Sequence, residues 1–110
     1  MISPVGVSVL IATSEHLESA CTHAYHNIGD DPMSGWANAA TNIHLAAGGL
    51  QLHLSGPVEP AEHPDCLTAL RAAGAELARL PATDTLPLLD AVLVHTRLSA
   101  ALRLTQALQA

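Results

Sequence analysis

The sequence predicts an all-α protein, an antiparallel up-down-up-down four-helix bundle, from three observations. Four segments carry apolar residues at alternating spacings of three and four, which places each set on one stripe of a helix. The apolar residues are mainly Ala, Leu and Val, with no Phe, one Trp and one Tyr. Ala and Leu are strong helix formers, whereas strands favour β-branched and aromatic residues. The connections are short, so we expect neighbouring helices to run antiparallel.

The first helix is predicted over about residues 4–28. Pro4 suits the first helical position, and Gly29 suits the position just after the last turn. An alternative makes residues 5–11 a short strand, with the helix starting after Thr13. The stripe favours one long helix because it is unbroken through Leu10. Its members are Val7, Leu10, Ser14, Leu17, Cys21, Ala24 and Ile28.

The second helix is predicted over about residues 33–54, after a turn at 30–32. Leu45 and Leu52 lie outside its main stripe, so this helix should be the most buried of the four. Gly48 and Gly49 in its middle indicate a kink, a close helix crossing or a ligand contact, because Gly weakens a helix. The main stripe consists of Trp36, Ala40, Ile43, Ala47, Leu50 and Leu54.

The third and fourth helices are predicted over about residues 64–80 and 84–109. Pro64 and Asp65 suit a helix start, as do Thr83 or Asp84, with Pro87 tolerated in the first turn. The stripe of the third helix is Cys66, Leu70, Ala73, Leu77 and Leu80. That of the fourth is Ala91, Val94, Leu98, Ala101, Thr105 and Leu108.

Length and composition indicate one helical-bundle domain over residues 1–110. Hydrophobic residues make up 49% of the chain and charged residues only 13%. So much apolar surface on a small chain predicts that a partner subunit covers part of it, most simply in a homodimer or against another helical protein. Two cysteines, Cys21 and Cys66, are too few for a disulfide framework. We expect both to be small buried residues, with a disulfide or a thiolate ligand as the alternative.

The charge balance and the N-terminus limit the partners and the location that we expect. The net charge is -6, with four Arg and no Lys. This argues against binding to nucleic acid and to anionic membranes, since both need clustered basic residues. The apolar N-terminal run has no basic residue before Arg71, and it is too short to span a membrane. We therefore expect a cytoplasmic protein.

No known catalytic or nucleotide-binding motif is present, and the sequence resembles no particular family. Glycine-rich phosphate loops, HExxH, CxxCH and GxSxG are all absent, as are the ExxH pairs of di-iron bundles. The chemistry must therefore be sought among seven histidines.

Three groups of histidines are predicted from the up-down-up-down topology. His16, His44 and His95 fall at similar heights, where His44 or His16 would serve as a general base near neutral pH and His95 as its hydrogen-bond partner. His53, His63, Asp65 and Cys66 would meet at one end and form a candidate site for Zn²⁺ or another late transition metal. The opposite end would hold His23, His26, Asp30, Asp31 and Asp84.

The leading functional hypothesis is an interaction or assembly module that self-associates. The first alternative is a small-molecule site or a cofactor-independent enzyme, with Trp36, Tyr25, Gly48 and Gly49 around the pocket and the first histidine group as its chemistry. The second alternative is a transition-metal or haem binder. No cofactor is predicted under the leading hypothesis, where the histidines are packing and capping residues.

Overall fold

The computed structural model describes residues 2–109, and its regular structure is entirely helical. The four helices are α1 (Pro4–Ile28), α2 (Gly35–Gln51), α3 (Cys66–Leu77) and α4 (Leu88–Gln109). No strand occurs within residues 2–109. The all-α prediction is confirmed, and the alternative strand at 5–11 is wrong because those residues lie inside α1.

Short polar side chains define where three helices begin. The Ser3 hydroxyl accepts a hydrogen bond from the Gly6 amide before α1, and Pro4 occupies the first turn. The Ser34 hydroxyl accepts from the Trp36 amide before α2, and the Asp65 carboxylate accepts from the Thr68 amide before α3. Each cap satisfies an amide that has no partner inside the helix. The second and third helices therefore start two residues later than predicted.

The predicted stripes form the core. The fully buried side chains come from all four helices, and most are Ala, Leu or small polar residues. The larger ones are Leu10, Leu17, Ile43, Leu50, Leu70, Val94, Thr13, Thr105 and Cys66. Trp36, Ala47, Leu54 and Leu80 pack against this core while partly exposed. Leu108 is the outer limit of the α4 stripe and is more exposed than its partners.

The helices pack in the ring order α1, α2, α4, α3. The most extensive contacts join α2 to α4, followed by those of α1 with α3 and with α2. No backbone contact joins α1 to α4 or α2 to α3 within the described residues. The contacts are compatible with a four-helix bundle. They do not confirm the predicted up-down-up-down order, because in that arrangement α2 and α3 would be neighbours.

The direction of the helices follows from three contacts with α4. Gly35, at the start of α2, lies against Leu108, whereas Gly49, near its end, lies against Val94. Helices α2 and α4 therefore run in opposite directions. Cys66, at the start of α3, lies 3.9 Å from Thr105 through Sγ and Oγ1. Both α2 and α3 thus start at the C-terminal end of α4 and run the same way.

A crossover segment, residues 55–64, makes this order achievable. It runs back along α1, where the Ala61 amide donates to the Glu15 carbonyl at 3.0 Å. Ten extended residues span about 30 Å, which is the length of a 20-residue helix. The sequence prediction treated this stretch as a turn between antiparallel neighbours. Its Pro and Gly residues mark irregular backbone but leave its direction undetermined.

Candidate functional site

The crossover segment and α1 enclose an open groove with a volume of about 610 Å³. This histidine groove joins the middle of α1 to the residues just before α3. Its walls combine hydroxyl, imidazole and carboxylate groups with two prolines. The lining residues are Ser19, Thr22, His23, Pro60, Ala61, Glu62, His63 and Pro64.

Three histidines hold the two sides of the groove together. Nδ1 of His16 lies 2.8 Å from Nε2 of His63, so one imidazole donates and the other accepts. The two rings are tilted by 55°, with their centroids 4.9 Å apart. His23 donates from Nε2 to the backbone carbonyl of His63 at 2.8 Å. His63 is therefore held by its side chain and by its main chain.

The surroundings of His63 favour its neutral form. Burial lowers the pKa of His63, and the neighbouring His16 and His23 lower it further, against an opposing effect of Asp65. The pKa of Asp65 is itself lowered because the carboxylate accepts the Thr68 amide hydrogen bond. Asp65 thus serves as a helix cap and stays ionised, which leaves it turned toward the α3 backbone.

The predicted metal set, His53, His63, Asp65 and Cys66, is divided among three places. His63 contacts α1, Asp65 caps α3, and Cys66 is fully buried beside Thr105. His53 follows the end of α2 and contacts Asp90. Between Ile2 and Gln109, no group of three or more His, Cys, Asp or Glu side chains has an arrangement that would hold a metal ion. A short loop over residues 55–63 would bring the four residues together, whereas the crossover segment carries His63 back along α1.

His53 and Asp90 form an interhelical pair beside a second groove. Nε2 of His53 lies 3.0 Å from Oδ2 of Asp90, and both side chains are about one-fifth exposed. The pair joins the C-terminal end of α2 to the first turn of α4, where helix dipoles favour a cation and an anion respectively. Apolar side chains and Thr85 surround it. The groove is lined by Ile2, Val7, His53, Thr85, Leu86 and Pro87.

The predicted trio of His16, His44 and His95 is not brought together. His44 and His95 are exposed, and His16 is half-buried against His63. Helices α1 and α4 make no backbone contact, so His16 and His95 lie on opposite sides of the ring. Each of the three adjoins a stripe residue in sequence, but successive helical residues are rotated by about 100°. Adjacent positions on α2 and α4 therefore face outward.

The four residues predicted to line a pocket lie apart from the grooves. Trp36 packs on the core, and the Tyr25 side chain is 56% exposed. Gly48 is exposed, whereas Gly49 is buried where α2 crosses α4. A Cβ atom at Gly49 would lie 2.8 Å from Cγ2 of Val94, so close packing is the role that the structure gives this glycine.

The third predicted group also separates. His23 contacts the crossover segment, while His26, Asp30 and Asp31 are exposed. Asp84 is buried at the other end of α1, where it accepts hydrogen bonds from Ser3. The ring order explains the separation, since the α3–α4 connection lies beside the start of α1.

Both cysteines are free and buried, as the sequence analysis expected. Burial raises the pKa of Cys21 to about 11, with Glu18 and Cys66 as smaller causes. Burial also raises the pKa of Cys66, against the effect of its Thr105 hydrogen bond. Neither thiol is therefore prepared to act as a nucleophile near neutral pH.

Exposed apolar side chains lie on α2, just after its last turn and on the first turns of α4. Leu88, Leu89 and Leu52 are 77%, 83% and 75% exposed, and Val92 and Leu45 add to this surface. Leu52 and Leu89 lie at the same end, because the next residues along the chain, His53 and Asp90, are hydrogen-bonded. We call the set Leu45, Leu52, Leu88, Leu89 and Val92 the α2–α4 face.

The sequence analysis missed the contacts that organise these sites. His16 with His63, Ser3 with Asp84, and Arg97 with Asn42 each join residues more than 40 positions apart. Only the spatial order of the helices reveals such pairs. Helical periodicity reports the faces of a helix and carries no signal for them.

Comparisons with known proteins identify no relative. The chain matches no protein-family model, and neither a curated protein nor a solved structure is similar to it. Within residues 2–109, no helix combines the length and the apolar character that crossing a lipid bilayer requires.

Proposed function

We propose that the chain is a single helical-bundle domain that acts as an assembly module, and that it self-associates through the α2–α4 face. The observation that carries this proposal is the outward display of leucine and valine on helices whose other side already forms the core. Leu88, Leu89 and Val92 surround the first turns of α4 on the solvent side. A group of exposed apolar side chains is typical of a surface that a partner covers.

The distribution of charge supports a second copy as the partner. Ten acidic residues give the chain a net charge of -6, so two copies repel each other across most orientations. Asp90 is the one acidic residue within α2 and α4, and it is paired with His53. Arg97 and Arg103 lie on the same pair of helices. Docking through these helices keeps the carboxylates of α1, α3 and the connections away from the interface.

Self-association through a shared patch also fits the symmetry of most small oligomers. A twofold dimer uses the same surface on both subunits, so a self-complementary apolar patch is sufficient. Leucine and valine side chains that leave water on docking stabilise the dimer by about 25 cal/mol per Å² of apolar area. The module would then be a dimer whose two α2–α4 layers lie against each other.

Sedimentation equilibrium of the whole protein over a range of concentrations tests the proposal. We expect a dimer for the wild-type protein and monomers for Leu89→Glu and Leu52→Glu, because each adds a charge to the interface. Both side chains are more than 70% exposed in one chain, so the fold should tolerate the change. Tyr25→Glu is the matched control, since it adds the same charge at an exposed position on α1 and should leave the dimer intact.

The opposite pattern would overturn the proposal. A wild-type protein that stays monomeric at all concentrations would remove self-association altogether. A dimer that survives Leu89→Glu and Leu52→Glu but dissociates with Tyr25→Glu would place the interface on α1.

A further inference from the structure

We propose that the hydrogen bond between His16 and His63 is an acid-sensitive latch that holds the crossover segment on α1. The latch survives one proton and breaks with the second, which loosens residues 55–64 around His63. This inference concerns the α1 side of the molecule and is independent of the proposed dimer.

Few polar contacts hold the crossover segment in place. Among the described residues, three hydrogen bonds tie the segment to α1, and two of them act through His63. The third joins the Ala61 amide, two residues before His63 in the segment, to the Glu15 carbonyl of α1. The segment contains three prolines and two glutamates and adopts no helix or strand. The His16–His63 bond is the one of these three that joins two titratable side chains.

Whether two facing imidazoles can share a hydrogen bond depends on how many protons the pair carries. A hydrogen atom between Nδ1 of His16 and Nε2 of His63 gives one donor and one acceptor, whether the pair carries no net charge or one. A second proton puts hydrogen on both facing nitrogens. The hydrogen bond is then lost, and two positive charges face each other at 2.8 Å.

His23 does not change the number of protons at which the His16–His63 hydrogen bond breaks. His23 donates from Nε2 to the His63 carbonyl, and an imidazole can donate from this nitrogen in the neutral and in the protonated state. Acidification therefore leaves that bond in place and acts on the His16–His63 pair. A proton on His23 nevertheless adds positive charge near His63.

All charged neighbours of the latch lie on α1, on the segment or at the start of α3. Glu15 and Glu18 flank His16 in sequence, and Glu62 lines the groove beside His63. Asp65 favours protonation of His63, while burial, His16 and His23 oppose it more strongly. Since the pKa of His63 is lowered in the fold, the folded state binds fewer protons than the unfolded state. The stability from the latch is complete above about pH 6.5 and is lost as the pH falls through the folded pKa.

Release of the segment uncovers a defined part of α1. Ser19 is 3% exposed and lines the histidine groove under Pro60 and Ala61. Ile11 and Glu15 line a neighbouring groove with residues 54–59. The opened form would therefore present a mixed apolar and polar strip of α1 at acidic pH.

Hydrogen exchange of the full chain, followed by mass spectrometry, tests the latch. The Ala61 amide and its neighbours are compared at about pH 7.5 and pH 5, with rates corrected for the intrinsic pH dependence of exchange. We expect the protection of the segment to fall at the lower pH, because the stability that the latch contributes is lost as the pH falls. Amides of α4 should stay protected and so report that the fold persists.

Two variants and one control separate the latch from general effects of acid. His63→Ala should lack the protection of the segment at both pH values. His63→Gln replaces a titrating group by a non-titrating one, so its protection should no longer depend on pH. His26→Gln changes an exposed histidine on α1 and should behave like the wild-type protein.

Three results would overturn the latch. Equal protection of the wild-type segment at both pH values would show that the second proton does not release it. A wild-type pH dependence in His63→Gln would assign the effect to another group. Parallel loss of protection in α4 would mean that acid unfolds the whole chain instead of opening the segment.

Discussion

Asp84 accepts a hydrogen bond from the backbone amide of Ser3 at 3.0 Å, across 81 positions of the chain. Its second carboxylate oxygen accepts from the Ser3 hydroxyl, which in turn accepts from the Gly6 amide. The carboxylate thus reinforces the cap of α1 from a different part of the molecule. A Cβ atom at Gly6 would overlap the Asp84 carboxylate, so the contact also requires glycine there.

Replacing this carboxylate should destabilise the protein. We expect Asp84→Asn to lower the free energy of unfolding by about 1–3 kcal/mol, because it removes a charged acceptor and leaves buried donors facing each other. Urea denaturation measures the change. Asp30→Asn is the control, since Asp30 is exposed and the same chemical change should have little effect there. Equal stability of Asp84→Asn and the wild-type protein would contradict this role.

The paired glycines of α2 should respond oppositely to alanine. A Cβ at Gly48 would have no heavy atom within 4 Å, so Gly48→Ala should stabilise the helix by about 0.5–1 kcal/mol. A Cβ at Gly49 would meet Val94 at 2.8 Å and Leu93 at 3.4 Å, so Gly49→Ala should destabilise by about 1–3 kcal/mol through overpacking. Thermal and urea unfolding of the two variants compare adjacent positions directly. Similar effects of the two changes would contradict the close crossing of α2 and α4.

The His53–Asp90 pair should contribute more than an exposed ion pair does. A double-mutant cycle with His53→Ala and Asp90→Ala should give a coupling energy of up to about 1 kcal/mol, because both side chains are largely covered. The reference cycle uses Glu76 and Arg79, whose guanidinium side is 73% exposed on α3. There we expect a coupling of about 0.2–0.5 kcal/mol. A larger coupling for the α3 pair would show that the interhelical contact is not formed in solution.

Alkaline pH should weaken the fold through the buried thiols. The pKa of Cys21 is about 11 in the fold, against an ordinary value of 9.0 for a thiol, so the unfolded chain loses its proton first. The free energy of unfolding should therefore be unaffected by Cys21 below about pH 8.5 and should fall as the pH rises toward 11. Urea denaturation from about pH 8 to pH 10.5 follows the decline. Cys21→Ala should reduce the slope, and an unchanged slope would indicate that the thiol is already ionised in the fold.

The sequence predicts the helices well because burial of one face of a helix requires apolar residues at regular spacings along the chain. α1 extends over Pro4–Ile28, as expected from Pro4, Gly29 and the intervening stripe. The other helices are shorter than predicted, because Ser34 and Asp65 cap later and residues 84–87 stay outside α4. Asp84 is a residue type that often caps helices, but its carboxylate accepts hydrogen bonds from Ser3 instead. A side chain engaged by a distant residue leaves no local signal.

The candidate site was less predictable because it depends on how the helices are ordered. The up-down-up-down topology predicts the height of each residue along its helix, and it places His16 and His44 in one layer. The height of a residue does not specify the direction in which it faces around the helix axis. This direction turns His44 and His95 to solvent. His63 entered the predicted metal set, yet the direction of the crossover segment takes it to His16 instead. The order of the helices in the ring, which periodicity does not report, decides the second of these outcomes.

The ring order also has a consequence for how the chain folds during synthesis. α2 has its most extensive packing with α4, which is synthesised after the other three described helices. Until then α2 can pair with α1, but the side that will receive α4 stays uncovered. Contacts between residues far apart in sequence also slow folding, because a long loop must close first. We expect the nascent chain to need protection at α2 until the C-terminal helix docks.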